Sequence, residues 1–245
     1  LLLTDLGATT YLNGFDADNP PRLMSDAIDA LIQWQLSSKP GVLPPYDDAL
    51  LRREVQLFPD WYVAKHLHTA LSDAQGTAFD QVTQLLINAA LAQPKVYVHR
   101  DYMPRNLMIS TPNPGVLDFQ DAVYGPITYD VASLFRDAFV SWPEQQELDW
   151  VIRYWERAKA AGLPVNTDFG EFWREFEWMG LQRHIKVLGI FARINYRDGK
   201  PHYLKDTPRF IGYARRVSAR YRELAPFAKL LDELENRANA VGYTF

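Results

Sequence analysis

The sequence predicts a mainly helical α+β fold with one small β-ribbon, and three observations carry that expectation. Apolar residues recur at helical spacing toward both ends of the chain. Three short runs rich in β-branched residues and Leu, KVYV, NLMI and GVLD, crowd between residues 95 and 118, with Pro and Gly between them. The 245 residues are 47% hydrophobic and 23% charged, enough apolar surface for a substantial core.

The elements follow in order. The chain opens LLLTDLG, read as the end of a buried strand at Leu1–Leu3 stopped by Asp5 and Gly7; a hydrophobic strand at residue 1 predicts that upstream sequence has been removed. Residues 8–21, rich in Asn, Asp, Gly and Pro, read as a loop. Pro20-Pro21 opens a helix through RLMSDAIDALIQWQL, where Leu23, Ala27, Ala30, Leu31 and Trp34 form one face. KPGVLPPY is a loop, and DDALLRREVQLF is a second amphipathic helix that Pro59 should break. A further helix is predicted over Phe79–Leu91. After the three strand runs, everything from Ile127 reads helical, with a long helix from about Asp168 to Tyr196. No linker is long enough to separate two domains.

Composition removes several functions. The net charge of −4 argues against a broad nucleic-acid-binding face. The absence of Cys excludes disulfides, thiolate metal sites and a Cys nucleophile, and fits a cytoplasmic protein. No run reaches the roughly 18 apolar residues of a membrane span, and no signal peptide is visible.

Between the strand runs lies VHRDYMPRNLMI. His99, Arg100, Asp101 and Asn106 stand as H-R-D-x-x-x-x-N, the catalytic-loop spacing of protein kinases, and Asp118-Phe119 follows like the start of D-F-G. Phosphoryl transfer needs a carboxylate at the acceptor hydroxyl and oxygen ligands for magnesium around one γ-phosphate. Asn106 and Asp118 could supply those ligands, with NLMI and GVLD bringing them together from opposite ends of a ribbon. The competing reading is a solvated turn held by Asp101 and Asn106. Gln120 replaces the Gly of D-F-G, no A-P-E follows, and there is neither a Gly-rich loop nor a V-A-I-K lysine. A protein substrate is therefore not expected.

These departures, with LDFQDAVYGPITYDVASL, EVQLFPDWYVAKHL and QRHIKVLGIFARINYRDGK, resemble the aminoglycoside phosphotransferase and choline kinase family, and within it the bacterial kinases of N-acetylmuramate and N-acetylglucosamine in cell-wall recycling. The resemblance implies a protein kinase-like C-terminal lobe over residues 8–245, with residues 1–7 the end of an N-terminal β lobe and hinge, that lobe being otherwise absent. It implies ATP and Mg²⁺ as cofactors and a small sugar as acceptor, with no nucleic-acid or membrane partner. Asp101 would be the catalytic base, and Asn106 and Asp118 the magnesium ligands. His99, Arg100 and Asp130 would be the loop's scaffold, although helix capping alone accounts for Asp130. Leu3, Thr4, Asp5 and Leu6 could offer backbone groups to the adenine. Without the upstream lobe, weak nucleotide binding and little activity are expected of these 245 residues alone.

On the acceptor side, Asp121 is open to two readings, a sugar-hydroxyl contact or a solvated side chain. Arg183, Lys186, Arg193 and Arg197 fall on one predicted helical stripe, opposite Leu181, Ile185, Leu188 and Phe191. Either the stripe is a solvated face, or one of its cations or His184 pairs with an acidic sugar's carboxylate. Trp173, Phe176 and Trp178, like Glu54, Phe58 and Trp61, fit both a sugar-stacking surface and a helical core. An antibiotic phosphotransferase, a choline or homoserine kinase, and a silent sugar-binding relative remain as alternatives.

Overall fold

The computed structural model describes residues 4–242, with side chains to residue 235, so the strand expected at Leu1–Leu3 lies outside the described residues. The chain divides into two compact units, one from the chain up to Tyr46 with Leu91–Phe176, the other from Asp47–Ala90 with Glu177 onward.

The first unit carries the sheet structure. Helix α1 (Tyr11–Gly14) interrupts the stretch expected to be a loop, because the Thr10 hydroxyl accepts from the Asn13 N–H and caps it. Helix α2 (Pro20–Leu36) starts at the expected prolines and buries Leu23, Met24, Ala27, Ile28, Leu31 and Ile32. It packs on α6 (Glu144–Ala160), whose Trp150, Val151, Tyr154 and Ala158 are equally buried. Burying such a side chain is worth about 1.5–3 kcal/mol, so this seam is a main source of the unit's stability. Gln35 crosses it, donating to the Ile127 carbonyl and accepting from the Tyr154 hydroxyl.

Strands β1 (Lys95–Val98), β2 (Leu107–Met108) and β3 (Gly115–Val116) fall inside the three predicted runs. Antiparallel β2 and β3 pair Leu107 with Val116. β1 pairs with β4 (Val123–Pro126), a strand that the Gly and Pro of VYGP concealed, in the register Val96–Gly125 and Val98–Val123. Gly125 is required there: a Cβ would lie 2.6 Å from that of Tyr46. Helix α5 (Tyr129–Phe135) follows at once and is buried throughout. Beyond it the Arg136–Glu147 ion pair, at 3.2 Å and fully buried, ties the end of α5 to α6.

The second unit is helical. Helix α3 (Asp48–Val55) is capped by Asp47, which accepts from the Leu50 N–H at 2.9 Å. Pro59 does not end the helical path as expected. The chain widens into a π-helical segment, Phe58–His66, with Pro in its first turn, where a missing N–H costs nothing. Helix α4 (Asp73–Ala92) begins six residues before the predicted start. Its signal was present as a capping box: the Ser72 N–H donates to the Gln75 side chain and the Gln75 N–H to the Ser72 hydroxyl.

Helix α7 (Phe169–Asp198) starts in the first unit and continues through the second, joined there by α8 (Thr207–Arg220) and α9 (Ala225–Gly242). Phe58 stacks on Tyr62 and Phe79 and meets Phe227 edge-on. Gly189 of α7 permits close packing, since a Cβ there would lie 2.3 Å from the backbone of Leu57. Gly189→Ala is therefore expected to destabilise by about 1–3 kcal/mol, against the helix-propensity gain of nearly 1 kcal/mol that Ala brings to an open helix. A denaturant midpoint that rises in this variant would contradict the packing.

Candidate active site

The turn after β1 is shaped by one buried carboxylate. Asp130, in the first turn of α5 and fully buried, accepts the His99 N–H at 2.6 Å and the Arg100 N–H at 3.0 Å. Arg100 has φ +76°, a left-handed conformation costing a non-glycine residue about 1–3 kcal/mol. The two charge-assisted bonds to Asp130 hold it there. The Arg100 side chain lies over the Tyr46 ring and reaches the Asp121 carbonyl.

His99 is fully buried, its ring edge-on to Trp34 and Tyr102. Burial pushes its pKa below the ordinary value, opposed by the charge of Asp101, the Leu117 carbonyl and the charge of Asp118. The neutral ring accepts the Asp101 N–H on Nδ1 at 3.3 Å, which leaves Nε2 as the protonated nitrogen. Tyr102 anchors the next residue, donating from its hydroxyl to the Ala27 carbonyl. Asp101 is thus fixed through its backbone, while its half-buried carboxylate makes no hydrogen bond among the described residues.

The loop closes on a 3₁₀ turn, Pro104–Asn106, where the Asn106 N–H donates to the Met103 carbonyl. The Asn106 amide nitrogen donates to the Asp101 carbonyl at 3.0 Å, which commits the nitrogen and leaves Oδ1 as an acceptor. Leu117 N–H donates to the Asn106 carbonyl at 3.0 Å, so Asn106 and Asp118 stand at the same end of the β2–β3 ribbon. The shared end follows from the antiparallel pairing. Asp118 is exposed, with φ +60°.

One carboxylate and one amide oxygen fit a magnesium ion, which completes its shell with water and phosphate oxygens and needs no cage of protein ligands. Among the described residues no group of three or more His, Asp or Glu is placed to hold a metal ion.

Of the expected hinge residues, Leu3 lies outside the described residues. Thr4, Asp5 and Leu6 lie outside any helix or strand, Asp5 takes the Gly7 N–H, and the Leu6 side chain rests on Gly115 of β3. Further along, the Thr9 carbonyl accepts the Ile109 N–H, setting this segment beside β2.

The acceptor candidates are placed differently from the expected stripe. Asp121 is exposed beside the loop. Arg183, His184 and Lys186 belong to the second unit and are buried, at 2%, 0% and 8% exposure, together with the apolar residues they were expected to oppose. A solvated face is therefore corrected to an interior one. The Lys186 ammonium pairs with Glu54 at 2.9 Å and His184 stacks on Tyr213, while Arg193 is half-buried and Arg197 exposed against Asp198. The aromatic candidates are mostly core: Phe58, Phe176 and Trp178 are buried, and the Arg136 guanidinium covers Trp173 and Phe176. Sequence reading missed Arg105 and its ring partner Phe139; they lie far apart in the chain, and no periodicity links them.

Residues 1–165 match the phosphotransferase enzyme family profile. A protein of Pseudomonas putida named N-acetylmuramate/N-acetylglucosamine kinase is 59% identical over 98% of this chain and 71% of its own length. One of the same name from Pseudomonas aeruginosa is 54% identical over the same shares. Among solved structures, choline kinase from Cryptosporidium parvum superposes with a TM-score of 0.58 at 12% identity, over 94% of this chain and 73% of that one, a likeness of fold. No described helix is long and apolar enough to cross a membrane. The helical body, the small antiparallel ribbons and the H-R-D loop are those of a protein kinase-like phosphotransferase with an alcohol group as acceptor, and the chain belongs to the phosphotransferase enzyme family.

Proposed function

We propose that the protein is an amino-sugar kinase that transfers the γ-phosphoryl group of ATP to the anomeric hydroxyl of N-acetylmuramate or N-acetylglucosamine, in the recycling of cell-wall sugars. The observation that carries this reading is the 59% identity, over 98% of the chain, to a relative bearing that name. The catalytic loop supports it chemically, because Asp101 offers an uncommitted carboxylate on a rigid turn.

In this reading Asp101 orients the acceptor hydroxyl and takes its proton late, as charge moves through a loose transition state. His99 and Asp130 fix the turn that presents it, and Arg100 locks the turn against Tyr46. Asn106 and Asp118 would hold magnesium, which when bound offsets charge on the phosphates. Thr4, Asp5 and Leu6, with Leu3, would run beside the adenine. Lys186 is left out of the acceptor site because Glu54 already neutralises it inside the second unit, and the buried His184 is left out with it.

Acceptor preference tests the proposal. With the full-length protein, ATP and Mg²⁺, phosphate transfer to N-acetylmuramate and N-acetylglucosamine should exceed transfer to kanamycin or choline by orders of magnitude. A preference for kanamycin would make the protein an antibiotic-modifying enzyme instead.

A further inference from the structure

The catalytic loop carries a cation that the transfer chemistry does not use. Arg105 sits on the Pro104–Asn106 turn, immediately before Asn106, and is exposed. The backbone beneath it is pinned by the two bonds of Asn106, to the Met103 and Asp101 carbonyls, so Arg105 and Asp101 ride on one rigid element.

Its guanidinium lies 5.0 Å from the centroid of the Phe139 ring. The backbone that carries the ring is anchored: the Phe139 N–H donates to the carboxylate of Asp137, which is fully buried. A guanidinium held over a ring keeps its edge donors pointing outward, a planar fork matched to a carboxylate.

No carboxylate among the described residues lies within ion-pair distance of Arg105. Arg136, Arg157 and Arg220 are paired with Glu147, Asp29 and Glu177. Arg100, the loop's other cation, is spent on Tyr46 and the Asp121 carbonyl.

The two proposed acceptors differ by one group. N-acetylmuramate carries a lactyl ether on O3 that ends in a carboxylate, where N-acetylglucosamine has a hydroxyl. We propose that Arg105 binds this lactyl carboxylate and makes the acidic sugar the preferred acceptor. The inference rests on the amino-sugar kinase reading and moves recognition of the carboxylate from α7 to the catalytic loop. A fork on the turn that presents Asp101 would also fix the sugar's orientation relative to the base.

The test is kcat/KM for both sugars in the full-length enzyme, with Arg105→Gln and Arg105→Lys. In Arg105→Gln the ratio of N-acetylmuramate to N-acetylglucosamine efficiency should fall at least about tenfold, mostly through KM for N-acetylmuramate. Arg105→Lys should recover part of that ratio, since it keeps the charge and loses the fork. A parallel loss on both sugars, or a rise in KM for ATP with the ratio intact, would assign Arg105 to the phosphates and overturn the proposal. So would a ratio unmoved in both variants. If the unaltered enzyme phosphorylates neither sugar, the amino-sugar reading falls first and takes the Arg105 assignment with it.

Discussion

Asp101→Asn is expected to lower kcat by about 10²–10⁴-fold while leaving the fold intact. The amide keeps the shape and can still contact the acceptor hydroxyl, but it cannot take the proton. The carboxylate makes no hydrogen bond among the described residues, and Asp101 is held by its backbone N–H to His99 and its carbonyl to Asn106. Both of those bonds survive the substitution. The unfolding free energy should therefore change by no more than about 0.5 kcal/mol. Steady-state kinetics beside a denaturant titration reads both numbers. Turnover equal to that of the parent would remove Asp101 from the chemistry, and a large stability loss would show a carboxylate built into the fold.

Asp130→Ala should do the reverse, with stability lost first and activity as a consequence. It leaves the His99 and Arg100 N–H groups without their acceptors, at 2.6 and 3.0 Å, in a buried place. Hydrogen bonds to a charged group are worth about 1.5–3 kcal/mol each, and the φ +76° conformation of Arg100 loses its restraint. A loss of about 3–5 kcal/mol is expected, comparable to much of the stability of an ordinary domain. Asp130→Asn retains one acceptor oxygen and should lie between Ala and the parent. If Ala and Asn variants unfold at the parent's midpoint, Asp130 does not organise the turn. This pairing separates Asp101, which acts on substrate, from Asp130, which acts through the loop.

Much of this was legible in the sequence wherever it was local. The strand runs on either side of the H-R-D-x-x-x-x-N turn read correctly because a turn and its ribbon form within a short stretch. Helices α2 and α7 read correctly because their apolar spacing is long and regular. Strand β4 was hidden because VYGP contains two residues that weaken strands and gains its place by pairing with β1. The start of α4 was missed although Ser72 and Gln75 spelled a capping box, because Gly76 and Thr77 are poor helix formers.

Charge on α7 misled for a different reason. Spacing shows that Arg183 and Lys186 share a region of a helix, but not that Glu54, on a distant segment, waits to neutralise Lys186. A cation on a helix reads as solvated until its partner is known. Arg105 is the converse: inside a motif it passes for loop filler, and its exposure and its Phe139 platform exist only once the chain has folded.

The position of the transferred phosphate tests the central claim most directly. Full-length protein with ATP, Mg²⁺ and N-acetylmuramate, followed by ³¹P NMR with coupling to the sugar protons, should show a phosphate coupled to the anomeric proton, a sugar 1-phosphate, and none with Asp101→Asn. A phosphate coupled instead to the C6 protons, or formed equally by the Asp101→Asn enzyme, would contradict it.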